Sequence, residues 1–232
     1  MPAEIRVFAL QSPQIIIGEL AAAFEQRTGY RITQLLSHAD LPRQVTPRID
    51  AGEPFDAAFL GASHIDQMAR EGKVLSDTRA NFVRVPIGVA VRAGAPRPDI
   101  SSVEAFKRAL LDARSIAYLR AGTSGPYLDG LFERFGIASE LQPKAKRPDS
   151  DTVGDLVAAG NAEIGVTAIA TLMATRGVDV VGPLPPEIQS YVDFAAAVSA
   201  NAAVPDIAQE LIAFVTGPVA ISIIRTKGME PW

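Results

Sequence analysis

The chain has 232 residues, 48% of them apolar and 21% charged, with a formal net charge of -4. Those are ordinary globular proportions, at a length that builds one large domain or two lobes of about 100 residues each, so disorder and an extended coiled coil are excluded. The acidic balance offers no broad basic surface for nucleic acid, and the absence of cysteine excludes disulfides, thiolate metal sites and a cysteine nucleophile.

In chain order, the opening MPAEIRVFAL lacks the long apolar run of a signal peptide or membrane helix. Ile5 to Leu10 predicts a strand, and Gln14 to Arg27, with Ile16, Leu20, Ala23 and Phe24 at helical spacing, predicts a helix stopped by Gly29. Tyr30 to Leu36 follows as a strand, then a helical stripe of Leu41, Val45 and Ile49, then a strand at Phe55 to Leu60. This βαβαβ alternation predicts an α/β fold with a parallel sheet, whose ligand crevice lies beyond the carboxyl ends of its strands.

Asn81 to Val91 is long for a strand and contains Pro86, which a central ladder tolerates poorly, so it suits a crossing between lobes. A capping box at Ser101 and Glu104 opens the helix of Phe106 and Leu110, followed by a strand at Ser115 to Leu119 and a helix at Tyr127 to Phe135. A proline-rich loop near Lys144 to Pro148, a helix at Val153 to Ala159 and a strand at Ile164 to Val166 come next. Tyr191 to Ser199 is a second long extended segment that returns to the first lobe, and helices at Ile207 to Val215 and Val219 to Thr226 complete the chain.

The candidate chemistry sits on loops between strands and helices. Gln11-Ser12-Pro13 offers a hydroxyl and unpaired helix-start N–H groups to an anion, or Ser12 caps its own helix. Ser37 and Asp40 offer the same alternatives after the second strand, with Arg43 nearby. Arg120 to Pro126 combines a guanidinium, the hydroxyls of Thr123 and Ser124 and the flexible Gly122 and Gly125; it is either an anion loop or a capped glycine turn. Thr167 ends another strand before a helical stretch. His38 and His64 lack the spacing of a metal motif and are assigned surface or packing roles, Asp56, Asp66, Asp149 and Asp151 suit caps and solvated faces, and no nucleophile elbow is present.

The segments IRVFALQSPQIIIGELAAAFEQRTGYRI, FDAAFLGASHIDQMAREGKV, AGNAEIGVTAIATL and IAFVTGPVAISIIRTKGMEPW, in this order and spacing, resemble the periplasmic molybdate-binding proteins of ABC importers over nearly the whole chain. The resemblance is to a divergent branch that also includes an aconitate isomerase. It implies a two-lobed type 2 periplasmic-binding-protein fold with two crossing strands, lobe 1 being residues 1–84 and 193–232 and lobe 2 residues 85–192, and an anion held in the cleft between them. Carried onto this sequence, the ligand-binding residues are Ser12, Ser37, Arg120, Thr123, Ser124, Gly125, Thr167 and Tyr191.

The resemblance further implies a monomer in the periplasm that serves a membrane ABC permease, takes a small anionic ligand, and uses no nucleic acid, metal, cofactor or catalytic residue; the absent signal keeps a cytoplasmic location open. Arg120 departs from a site built of neutral donors and favours a carboxylate, which a guanidinium pairs with two parallel hydrogen bonds. The competing expectation is an isomerase of a di- or tricarboxylic acid such as aconitate, with His38, Tyr191 or Asp40 as general base.

Overall fold

A computed structural model describes residues 3–36, 42–149 and 152–232. The chain divides into two compact units, Met1–Arg84 with Asp193–Trp232, and Val85–Val192.

The first unit opens with β1 (Ala3–Ala9), α1 (Gln11–Thr28), β2 (Tyr30–Gln34), α2 (Pro42–Asp50), β3 (Ala57–Gly61) and α3 (Ala62–Arg70). β1 pairs in parallel with β2 and with β3, as the βαβαβ alternation requires. Both faces of this sheet are covered, which is why β3 reads as the unbroken apolar run AAFLG with its first four residues buried. One face holds Phe8, Leu36, Val45, Phe55, Leu60 and Ile65, with the Phe8 and Phe55 rings edge to face at 5.3 Å. Phe24 of α1 meets Phe214 at 5.6 Å.

β4 (Ala80–Arg92) leaves the first unit after Arg84 and enters the second. Pro86 lies between Val83 and Arg84, which are laddered with the carboxyl-terminal β10 (Glu230–Pro231), and Ile87 to Ala90, which pair with a strand of the second unit. Proline, lacking an N–H, sits where those ladders change over.

The second unit continues with α4 (Val103–Asp112), β5 (Ile116–Tyr118), α5 (Ser124–Arg134), α6 (Ala138–Leu141), β6 (Ala145–Lys146), α7 (Val153–Ala158), β7 (Ile164–Ala168), α8 (Ile169–Ala174) and β8 (Val178–Pro183). β5 pairs in parallel with β6 and β7, while β7 and β8 pair antiparallel with β4. Phe106, Leu110, Leu128, Phe132, Ile116 and Val166 form its core. The expected capping box is displaced by one residue: Ser102, not Ser101, caps α4 by accepting the Ala105 N–H at 3.2 Å, and Ser101 N–H instead donates to Asp99. The loop expected near Lys144 to Pro148 contains the short β6, and α6 precedes it.

β9 (Tyr191–Val198) returns to the first unit, where it runs antiparallel to β3, and α9 (Pro205–Thr216) and α10 (Pro218–Thr226) pack on α1. No single helix among the described residues is long and apolar enough to cross a membrane. Asp56, only 3% exposed, ties this return to the sheet. Its carboxylate accepts the Arg6 N–H at 2.8 Å on one oxygen and those of Ala203 at 2.8 Å and Val204 at 3.2 Å on the other, satisfying donors at the start of α9. Asp56→Ala strands these donors and is expected to lower the unfolding free energy by about 2–4 kcal/mol in urea titrations, given ~1–3 kcal/mol for an unsatisfied buried group. A change under about 0.5 kcal/mol would place Asp56 among ordinary surface residues.

Candidate functional site

β1 and β3 end at the same sheet edge, since Ala9 pairs with Phe59. The chain turns directly into α1 there. Leu10 is the N-cap, extended at φ -94 and ψ 139 with no side-chain cap, so Gln11 and Ser12 lie in the first helical turn rather than in a preceding loop. Pro13 follows in the same turn, where its missing N–H removes no helical bond. Ser12 is 2% exposed and its hydroxyl has no hydrogen-bond partner among the described residues, which removes the capping alternative. What remains is a hydroxyl and free N–H groups at the positive end of an 18-residue helix.

Gln14, one position further, is a residue the sequence reading passed over. It is 7% exposed and donates its side-chain N–H to the Leu36 carbonyl at 2.6 Å, so α1 holds the end of the segment that leads to residue 37. Because that bond fixes which end of the carboxamide is nitrogen, the buried Oε1 is left as an acceptor without a donor. Ser37, His38 and Asp40 lie outside the described residues. Gly61-Ala62-Ser63, where β3 turns into α3, was also missed; Ser63 is exposed in the first turn, and the signal was another strand that runs straight into a helix.

The second unit repeats the junction. Tyr118 of β5 pairs with Val166 of β7, so the loops after both strands emerge side by side. Gly122 adopts φ 78, a left-handed turn suited to glycine, and Thr123 is the N-cap of α5, exposed and with no side-chain cap bond. Ser124 and Gly125 form the first turn of α5, followed by Pro126. Ser124 is 2% exposed and its hydroxyl, like that of Ser12, has no partner among the described residues. A Cβ on Gly125 would stand 2.5 Å from the Leu119 carbonyl oxygen, so only glycine lets the helix start close on the end of β5. Thr167 is fully buried at the end of β7 beside this loop, and Tyr191 is half-buried at the start of β9; both are engaged with neighbouring groups.

Arg120 is turned to the 147–149 segment. Its Nε lies 3.3 Å from Asp149 Oδ1, the guanidinium donates to the Arg147 carbonyl at 3.4 Å, and its backbone N–H donates to Pro148 at 3.0 Å. The same segment braces β5: Arg147 pairs with Asp129 and stacks 4.9 Å over the Tyr118 ring, whose hydroxyl donates to Asp129 at 3.1 Å. His64 is a packing residue with Nε2 2.9 Å from Thr46 Oγ1, its pKa lowered chiefly by burial.

The profile of the bacterial extracellular solute-binding proteins matches residues 5–230. The chain belongs to that family. It is 33% identical to an aconitate isomerase from a Pseudomonas species over 218 residues, 93% of this chain and 83% of the relative. Its fold superposes on the periplasmic molybdate-binding protein of Azotobacter vinelandii with a TM-score of 0.74 at 19% identity, covering 97% of this chain and 98% of the other. It also superposes on the sulfate-binding protein SubI of Mycobacterium tuberculosis with a TM-score of 0.76 at 18% identity, covering 99% and 87%. This solute-binding-family chain therefore has the two-lobed α/β periplasmic-binding-protein fold, with Ser12 in one unit and the remaining described candidates in the other.

Burial first, and then the Asp129 carboxylate, push the Tyr118 hydroxyl up to about 12, against the pull of Arg147. The unfolded chain loses this proton near pH 10 while the folded chain keeps it, so Tyr118 contributes stability below pH 10 that disappears as pH rises towards about 12. Burial also pushes the Tyr127 hydroxyl up, so ultraviolet titration of the phenolates should show late titration from both, of which Tyr118→Phe removes the part near pH 12; a late amplitude that the substitution leaves undiminished would mean that the brace does not hold the hydroxyl protonated.

Proposed function

We propose that this solute-binding-family chain binds a small carboxylate anion, with donors from both units acting on one ligand. The observation that carries the reading is the pair Ser12 and Ser124: two residues each 2% exposed, whose hydroxyls are unpartnered among the described residues, each in the first turn of a helix that follows a parallel strand. Ser37, Thr123, Gly125, Thr167 and Tyr191 complete the proposed contact set. Arg120 joins by exchanging Asp149 for the ligand; the pair is 64% and 57% exposed, and such surface pairs contribute about 0–1 kcal/mol, so little opposes the exchange. On this reading the protein is a monomeric periplasmic receptor that delivers its anion to an ABC permease.

The identity to an aconitate isomerase supports a second reading on the same residues. A base removes a proton from the ligand's methylene carbon, and the proton returns at the former vinylic carbon as the double bond shifts, with no oxidant or reductant consumed. Tyr191, His38 and Asp40 are the candidate bases.

Calorimetric titration with cis-aconitate, trans-aconitate, citrate, molybdate and sulfate tests the receptor. A carboxylate is expected to bind most tightly, and Ser12→Ala and Ser124→Ala each to weaken it roughly 2- to 150-fold, the span of about 0.5–3 kcal/mol for one hydrogen bond to a charged ligand. Unchanged affinity in both variants would sink the proposal. Proton NMR of the aconitates in deuterated water separates the readings: binding without exchange marks a receptor, while deuterium incorporation or isomer interconversion marks the enzyme.

A further inference from the structure

A cavity in the second unit lies away from the candidate site. It has a volume of about 820 Å³ and opens at the amino ends of β5 and β7, where Arg114 and Glu163 precede the strands, whereas residues 119–125 and 168–169 leave the carboxyl ends. That volume falls inside the range of about 300–1,000 Å³ typical of small-molecule sites.

Its walls are built by different means. Ala105, Arg108, Ala109 and Asp112 recur at helical spacing along one face of α4, whose opposite face carries Phe106 and Leu110 into the core. The alanines leave space; the charged side chains rim it. A second wall is the 92–99 loop, pinned by Ala93 N–H to the Gly177 carbonyl at 2.9 Å, Gly94 N–H to Asp179 at 3.1 Å and Ala95 N–H to the Arg92 carbonyl at 2.9 Å, with Pro96 and Pro98 fixing the chain on either side of Arg97. The third wall is Gly160, Ala162 and Ile164, with Arg92 Nη1 in van der Waals reach of Gly160.

The charges do not cancel. Four arginines and three carboxylates line the cavity. Glu163 is consumed by Arg114, receiving both its backbone N–H and its guanidinium. Asp99 is held below the usual carboxylate range by hydrogen bonds from Ser101, with a smaller contribution from Arg108. Arg92 and Arg97 have no ion-pair or hydrogen-bond partner among the described residues. With Glu163 taken by Arg114, Arg92, Arg97 and Arg108 face Asp99 and Asp112, which leaves an excess of one positive charge on the rim of an alanine-lined floor in a chain of net charge -4.

We infer that the second unit carries a separate binding site at the amino ends of β5 and β7, which takes a small organic anion with an apolar body: the body fills the alanine-lined space and the anionic head meets Arg92, Arg97 and Arg108. An anion fits because Arg forks pair carboxylate, sulfonate or phosphate groups in two-point contacts.

Naphthalenesulfonate serves as the probe, titrated into the full chain while backbone amide NMR shifts are followed, with naphthalenemethanol and inorganic sulfate as controls for body and head. Saturable shifts confined to residues 92–99, 105–114 and 160–164 are expected, with Kd below about 1 mM and at least about tenfold weaker binding for either control. The double variant Arg92→Ser with Arg108→Ser should weaken the probe at least about tenfold, a loss of roughly 1.4 kcal/mol. Ala109→Trp, which fills the cavity without changing charge, should abolish binding, and Ser12→Ala should leave it intact. Equal affinity for the neutral alcohol, unsaturable shifts, shifts centred on the Ser12 or Ser124 turns, or undiminished binding in the arginine double variant would each overturn the assignment. The arginine variant decides the matter if the amide spectrum shows that Ala109→Trp has not folded.

Discussion

The structure depends on how abruptly its parallel strands become helices. A helix that begins one or two residues after a strand has no room for a capping side chain, so its first N–H groups stay unpaired at the positive end of the helix dipole. α1 follows β1 after Leu10 alone, α3 follows β3 without a gap and α8 follows β7 without a gap; none has a side-chain cap. α5 follows a longer loop but reaches the same state, because Gly125 lets its first turn close onto the Leu119 carbonyl. Water or a ligand satisfies such donors, and a ligand that displaces the water must itself accept hydrogen bonds, which an anion does.

The fold class was legible in the sequence because the apolar runs of β1 and β3 flank an 18-residue helix, a second strand and a second helix in strict alternation. The helix starts were not. Periodicity begins with the first apolar residue, so it placed the openings at Gln14 and Tyr127, whereas the helices open at Gln11 and Ser124 with proline in their first turns. The error matters, since it set Ser12 and Ser124 in loops, where capping was a natural rival, when both lie inside helical turns. β8 and β6 escaped notice for another reason: short strands at the edge of a sheet take their identity from their neighbours, here β4 and β5.

The site was legible as loops but only partly as side chains. Ser12, Ser124 and Gly125 are buried at the junctions that the pattern indicated. Arg120 is held by Asp149 and the Arg147 carbonyl, contacts made across 27 and 29 residues of chain that no local spacing reveals. Gln14 was invisible because its value lies in reaching the Leu36 carbonyl, 22 residues away. The distal cavity arose in the same way, from α4, the 92–99 loop and the 160–164 segment, which meet only in the folded unit.

The central claim is that one small carboxylate engages strand-to-helix junctions in both units. Hydrogen–deuterium exchange, measured peptide by peptide with and without saturating trans-aconitate, tests it most directly. The account predicts slowed exchange in residues 9–16 of the first unit and in residues 119–128 and 167–171 of the second, all saturating at one ligand concentration. Protection confined to one unit, or saturation of the two units at different concentrations, would contradict it.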